Sequence, residues 1–100
     1  MVKHVILWKL SDELSEKEKI EIKKNIKEGL ESLKGKIEGL EYIKVEISPL
    51  ESSNCDLMLD SAFVSADALK YYAGHPEHVK VANERVRPYT SVRMCMDFNA

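Results

Sequence analysis

One hundred residues suit a single domain, because one core stops growing well above this size and only longer chains split. A hydrophobic share of 44% beside 32% charged residues is that of an ordinary globular chain, neither disordered nor built for a bilayer. The net charge of −2 excludes a surface for nucleic acid or anionic lipid, which requires clustered Lys and Arg.

Lysines do gather between Lys17 and Lys36, but seven acids and seven lysines alternate from Ser11 to Lys36, which reads as a neutral, solvated helix face. No stretch reaches the ~18–20 apolar residues of a membrane helix. Met1–Leu10 mixes Lys and His with apolar residues, unlike a signal peptide, so the cytoplasm is the expected compartment. Cys55 and Cys95 have no C-x-x-C spacing and read as small hydrophobes rather than a disulfide or zinc pair.

Val2–Leu10 alternates, with Val2, His4, Ile6, Trp8 and Leu10 on one side and Lys3, Val5, Leu7 and Lys9 on the other. Apolar residues on both sides predict a strand covered on both faces near its middle. Ser15 and Glu18 form a capping box that opens a helix carrying Ile22, Ile26, Leu30, Leu33 and Ile37 at helical spacing. Gly35 and Gly39 are expected to end the helical run, and Glu13–Lys17, Lys24–Glu28 and Lys27–Glu31 to decorate its outside. The second strand is predicted over Leu40–Ser48, followed by a turn-rich loop through Asn54. The third is predicted over Asp56–Phe63, with Leu57, Leu59, Ser61 and Phe63 facing together. Ser65 caps a second helix to about Ala73, ended by Gly74. Pro76 suits the first position of a new helix, predicted to run to about Arg87 and stopped by Pro88. The last strand, Ser91–Phe98, sets Val92, Met94, Met96 and Phe98 against Arg93, Cys95 and Asp97.

The order β-α-β-β-α-β predicts an α+β, ferredoxin-like protomer over residues 1–100. Helices then cover only one sheet face, yet the first and last strands carry apolar residues on both. A monomer rarely exposes an apolar face of that size, so a symmetric homodimer, with two sheets packed face to face as a dimeric α/β barrel, is the expected partner arrangement.

Three histidines are candidates for chemistry: His4, His75 and His78. His78 falls in the first turn of the last helix, where the helix dipole disfavours imidazolium and leaves the neutral ring a general base needs. Tyr72 lies just before the Gly74-His75-Pro76 corner, so its hydroxyl and His78 are expected to face one another. A hydroxyl donor opposite a base suits proton removal beside a carbonyl, with Tyr72 holding the oxygen as charge develops. Plainer readings stand beside this one: Tyr72 as a half-buried aromatic, His75 as a corner residue, His78 bonded to a backbone carbonyl, and His4 as an interior histidine. No metal site is expected from His75, Glu77, His78 and His4, because His75 precedes the helix and nothing completes tetrahedral ligation. G-x-S-x-G, P-loop and G-x-G-x-x-G spacings are absent. Arg85 and Arg87 suit an anion, a salt bridge or a dimer contact equally.

The opening Val2-Lys3-His4, the capped first helix, the His75-Pro76-Glu77-His78 corner, Arg87-Pro88 and the closing Asp97-Phe98 together resemble the stress-responsive dimeric A/B barrel (Dabb) family over essentially the whole chain. The resemblance implies a ferredoxin-like protomer in a homodimeric barrel. Its olivetolic acid cyclase-like plant members close a linear polyketide by aldol condensation without a cofactor, which implies His78 as base, Tyr72 as its partner and His4 as a polar pocket contact. No cofactor is expected, although some plant members hold magnesium through backbone groups. The pocket so implied is lined by His4, Ile6 and Trp8 from the first strand and by Ile22 and Ile26 from the first helix. Leu59, Ser61, His75 and Val81 complete the expected lining. Two departures limit its contents: Ile22 and Ile26 stand where the cyclases carry aromatics, and Trp8 is larger than their aliphatic side chain. A buried Trp occupies on the order of 200 Å² of surface, so a small carbonyl-containing ligand is expected rather than a long acyl chain. Three readings follow: a small-molecule-binding dimer, a cofactor-free lyase or cyclase, and a structural, stress-associated dimer with a closed pocket. A cavity of a few hundred Å³ reaching Tyr72 and His78 separates the first two from the third.

Overall fold

The computed structural model describes residues 1–100. The chain runs β1 (Val2–Leu10), α1 (Glu16–Glu31), β2 (Leu40–Glu46), β3 (Leu57–Phe63), α2 (Ala66–Gly74), α3 (Pro76–Val81) and β4 (Thr90–Asn99). A π-helical stretch, Ala82–Val86, and a 3-10 turn, Arg87–Tyr89, join α3 to β4. The four strands form one antiparallel sheet in the order β2-β3-β1-β4, the ferredoxin-like arrangement. No helix is long and apolar enough to cross a membrane.

Period-two alternation decides which residues enter the core. His4, Ile6, Trp8 and Leu10 of β1 are buried, as are Leu57, Leu59, Ser61 and Phe63 of β3. The apolar residues among them meet Ile22, Ile26 and Leu30 of α1 and Tyr72 of α2 in one cluster. The opposite sheet face carries no helix, and there Leu7, Val92, Met94, Met96 and Phe98 are all exposed. Cross-strand pairing of Leu7 with Met94 and of Val5 with Met96 gathers these side chains into one patch on β1 and β4.

The capping box at Ser15 and Glu18 is formed, with each backbone N–H bonded by the other residue's side chain. The end of α1 corrects the sequence expectation. The helix stops at Glu31, short of Gly35, because the Ser32 hydroxyl donates to the Gly29 carbonyl at 2.7 Å. Leu33 N–H then bonds Leu30, one residue closer than a helix would require. Leu33 and Ile37 are buried nonetheless, so the apolar period marks burial in turns beyond the helix. Gly39 sits at φ +89°, where a Cβ would fall 2.6 Å from that of Ala68, and only glycine fits there.

Of the three ion pairs expected on the outside of α1, only Lys27–Glu31 closes, at 2.7 Å. It does not face open solvent either. Lys27 Nζ donates to the Val45 carbonyl at 2.8 Å, and Glu31 Oε2 accepts from the Val45 N–H at 2.9 Å. The pair therefore satisfies backbone groups that edge strand β2 would otherwise leave bare. Burial raises the Glu31 pKa, but Lys27 and the Val45 N–H outweigh it and hold the carboxyl below its ordinary value.

The expected single helix from Pro76 to Arg87 is a second correction. Helical hydrogen bonding holds to Val81, widens to the π pattern over Ala82–Val86 and tightens at Arg87. A wider turn rotates the side chains that follow it. β2 also ends at Glu46 rather than Ser48, and β3 begins at Leu57 rather than Asp56. Asp56 serves instead as a staple: its N–H bonds the Trp8 carbonyl and its carboxylate accepts from the Leu10 N–H at 2.7 Å.

Candidate functional site

A cavity of about 120 Å³ opens between the helices and the β1–β4 half of the sheet. His4, Ile6 and Trp8 of β1 form its floor, and Leu69, Tyr72 and Ala73 of α2 form one wall. His78, Val86, Arg87, Thr90 and Arg93 complete it. Tyr72 and His78 are brought together by the tight corner between α2 and α3. His75 N–H bonds the Tyr72 carbonyl at 3.1 Å, and His75 Nδ1 accepts from the Glu77 N–H at 3.1 Å. Pro76 at the first helical position gives up no donor. The reversal stacks the Tyr72 and His78 rings at 4.3 Å between centroids, 35° from parallel. The Tyr72 ring also meets Phe63 at 4.9 Å and His4 at 6.3 Å.

Each ring has a defined chemical state. His78 Nδ1 lies 3.2 Å from the Ala73 carbonyl, which can only accept, so Nδ1 carries the hydrogen and Nε2 keeps a free lone pair. Burial, aided by the charges of Arg87, His4 and Arg93, lowers the His78 pKa against the opposing pull of the Ala73 carbonyl. Tyr72 is 1% exposed and its hydroxyl has no hydrogen-bond partner; burial raises its pKa far above the ordinary phenol value. Both shifts favour the neutral form, which sets an imidazole with a free ring nitrogen beside a phenol whose hydroxyl has no partner.

His4 is held by a residue that sequence reasoning missed. Its Nδ1 lies 2.5 Å from Asp97 Oδ1, while the Ser61 hydroxyl bonds its backbone carbonyl at 2.7 Å. Burial raises the Asp97 pKa, but the bond and charge of His4, with help from Cys95 and Arg93, leave it below the ordinary carboxylate value. Cys95 Sγ lies 3.6 Å from His4 Nδ1 and 3.5 Å from Asp97 Oδ1. Burial and the neighbouring Asp97 raise its thiol pKa, which is the opposite of nucleophile activation.

The residues expected to line a pocket fall in different places in the structure. His4, Ile6 and Trp8 line the cavity with Tyr72 and His78. Ile22, Ile26 and Leu59 do not, because they fill the core between α1 and the sheet. Ser61 is spent on the His4 carbonyl, and Val81 packs against the core beside α1. His75 turns outward against Tyr71 at 5.4 Å. Arg85 reaches back to the Asn25 carbonyl, whereas Arg87 is bonded by Asn83 and reaches the cavity. The missed residues Arg93, Cys95 and Asp97 share one face of β4. Their alternation against the methionines was visible, but their meeting with His4 depends on the β1–β4 register, in which His4 faces Asp97.

A depressed histidine pKa makes stability depend on pH with a defined sign. Unfolded His78 takes up a proton near pH ~6.5, while folded His78 resists until a lower pH. Its contribution is complete above ~6.5 and is lost as pH falls through the folded value. Glu31 and Asp97, both depressed when folded, lose theirs only below the ordinary carboxylate range near ~4. Melting temperature is therefore expected to fall in two steps between pH 8 and pH 3, and His78→Gln to remove the first. An unchanged slope between pH 7 and pH 5 in that variant contradicts the assignment.

Residues 2–100 match the family model described as the stress responsive A/B barrel domain. The chain is similar to a dimeric protein of unknown function with a ferredoxin-like fold from Bacteroides fragilis. The two share 32% identity with a TM-score of 0.91, over 99% of this chain and 95% of that one. A protein from Arabidopsis thaliana has 23% identity and a TM-score of 0.76, over 100% of this chain and 95% of the other. A hydroxynitrile lyase from Passiflora edulis shares the fold, with 15% identity and a TM-score of 0.73 over 97% and 90% of the two chains. No functionally curated protein matches the chain.

Proposed function

We propose, for a chain that belongs to the stress responsive A/B barrel domain family, a homodimer in which each protomer binds a small carbonyl compound between its helices and its sheet. The observation that carries the ligand reading is the shared cavity of His4, Tyr72 and His78, with an unpartnered buried hydroxyl and a free imidazole nitrogen. A buried polar group without a partner costs about 1–3 kcal/mol, and a carbonyl oxygen accepting from Tyr72 relieves that cost. The uncovered patch of Leu7, Met94, Met96 and Phe98 supports the dimer, as does the description of the Bacteroides fragilis protein as dimeric.

Size narrows the ligand. The cavity reaches Tyr72 and His78, but its volume of about 120 Å³ falls short of the few hundred Å³ expected of a ligand site. Size alone favours the closed, structural dimer, and the ligand reading rests on the unpartnered Tyr72 hydroxyl and the free His78 nitrogen. Trp8, 4% exposed, occupies the space a longer chain would use. A ligand of a few heavy atoms fits; a linear polyketide does not. The test is a thermal-shift series with short aldehydes, ketones and keto acids. A ligand present at 100 times its Kd adds about 2.7 kcal/mol, and Tyr72→Phe is expected to abolish most of that shift. No shift with any short carbonyl compound overturns the reading.

A second reading is favoured by the state of His78. A neutral imidazole with a free Nε2 beside a phenol donor is equipped for cofactor-free lyase or aldol chemistry, with His78 taking the proton and Tyr72 holding the oxygen. His78→Ala is then expected to cut turnover of the bound compound by about 10²–10⁴-fold while its binding persists. Unchanged turnover removes His78 from the role of base.

A further inference from the structure

We propose that His4, Cys95 and Asp97 form a binding site for one zinc-type divalent ion, on the helix-side face of the β1–β4 pair. One ligand atom from each residue lies within 4.8 Å of the other two. The distances fit a particular coordination. A tetrahedral ion with ~2.3 Å to sulfur and ~2.0–2.1 Å to nitrogen and oxygen sets sulfur about 3.5 Å from each, and nitrogen about 3.3 Å from oxygen. The thiol stands 3.6 Å from His4 Nδ1 and 3.5 Å from Asp97 Oδ1, close to both values. Only the 2.5 Å His4–Asp97 separation has to widen, and Asp97, with its side chain 48% exposed, is free to turn by that amount.

The sheet preorganises the ligands. His4 faces Asp97 across the β1–β4 pairing and Ile6 faces Cys95, so alternation puts all three side chains on one face. His4 is fixed by burial and by its place on β1, leaving two mobile ligands and one rigid one. Binding releases the Cys95 thiol proton to solvent and requires a hydrogen-free His4 Nδ1, so the ring holds its one hydrogen on Nε2 and any second ring proton leaves to solvent with that of the thiol. One thiolate and one carboxylate then balance the charge of the ion. Cys95 and Asp97 are exposed at the open corner, so the fourth position is left to water, as in zinc sites that keep an open coordination place. The site does not depend on the carbonyl-pocket reading: neither Cys95 nor Asp97 lines that cavity, and no turnover is needed to detect it.

Titration of the reduced, untagged full chain with cobalt(II) tests this. One equivalent per chain is expected, with a thiolate-to-cobalt charge-transfer band and the strong visible bands of four-coordinate cobalt, both removed by added zinc. Cys95→Ser is expected to abolish the charge-transfer band, and Cys55→Ser to leave it unchanged. Asp97→Asn is expected to weaken binding by at least ~100-fold, the upper end of what loss of an outer partner costs. Zinc is also expected to protect Cys95, but not Cys55, from a thiol reagent. Absence of the band, its survival in Cys95→Ser, its loss in Cys55→Ser, or unchanged affinity in Asp97→Asn overturns the site.

Discussion

Replacing Met94 and Met96 together by glutamate is expected to convert the proposed dimer into a monomer, with the light-scattering mass falling from twice 11.4 kDa to that value. The two methionines are 64% and 68% exposed in the protomer, so the change hollows no core and far-UV circular dichroism should be retained. Burying a methionine contributes about 1.5–3 kcal/mol. Four such side chains per dimer give about 6–12 kcal/mol as an upper bound, because ordering and desolvation costs offset part of it. At 1.4 kcal/mol per tenfold, the lower figure corresponds to association weaker by up to about 10⁴-fold, and the cost of enclosing charge adds to it. The rest of the face supports this seating. Toward β2 the same face carries charge, with Lys3 of β1 paired to Asp60 of β3 and Lys44 paired to Glu46 on β2, so a two-fold axis can set the β1–β4 patch against its copy. Lys24→Glu, on the exposed side of α1, is the matched control and should stay dimeric. A dimeric mass for the double variant would place the interface elsewhere.

The face that makes this prediction was legible early, for a physical reason. A strand exposes its two faces at strict period two, so Val5 and Leu7 on one side of β1 and Met94 and Met96 on one side of β4 announced an apolar surface no helix of this topology could cover. Helix starts were equally legible, because Ser15, Ser65 and Pro76 act through local hydrogen bonds and a fixed φ. Helix ends were not. The stop at Glu31 depends on whether the Ser32 hydroxyl captures the Gly29 carbonyl, a choice that helical periodicity does not encode. The π stretch at Ala82–Val86 is hidden for a related reason. Its apolar pattern resembles that of a helix, while the widening is imposed where the segment packs on α1, with Arg85 over Gly29 and bonded to the Asn25 carbonyl.

The candidate site divides along the same line. Tyr72, His75 and His78 lie within one corner, so Gly74 and Pro76 were enough to bring the first and last of them face to face. Asp97 and Cys95 reach His4 only through strand register, across 93 and 91 residues of chain. Nothing local links them. The same distance explains why sequence spacing groups His75, Glu77 and His78, while the side chains of His4, Cys95 and Asp97 that converge in space lie on β1 and β4.

Trp8→Ala is expected to be the most destabilising single change in the pocket and also to widen what the pocket accepts. Trp8 is 4% exposed, belongs to the core cluster and forms part of the cavity floor. Truncating a buried Trp to Ala costs about 3–5 kcal/mol, a large part of the ~5–15 kcal/mol that holds a typical domain together. At about 4–8 °C per kcal/mol for a chain near this size, the melting temperature should drop by roughly 12 °C or more. The vacated space joins the existing 120 Å³, and a cavity of ~150 Å³ already admits benzene. Indole, the ring removed by the substitution, should therefore restore stability in Trp8→Ala by an amount that grows with the logarithm of its concentration above Kd, and leave the wild-type protein unmoved. Under the carbonyl-pocket reading, the ligand preference in the same variant should shift toward longer or aromatic carbonyl compounds, with Tyr72→Phe still removing the gain. A loss below ~1 kcal/mol would mean that neighbouring side chains collapse into the gap. Equal indole responses in both proteins would mean that Trp8 does not set the limit of the cavity.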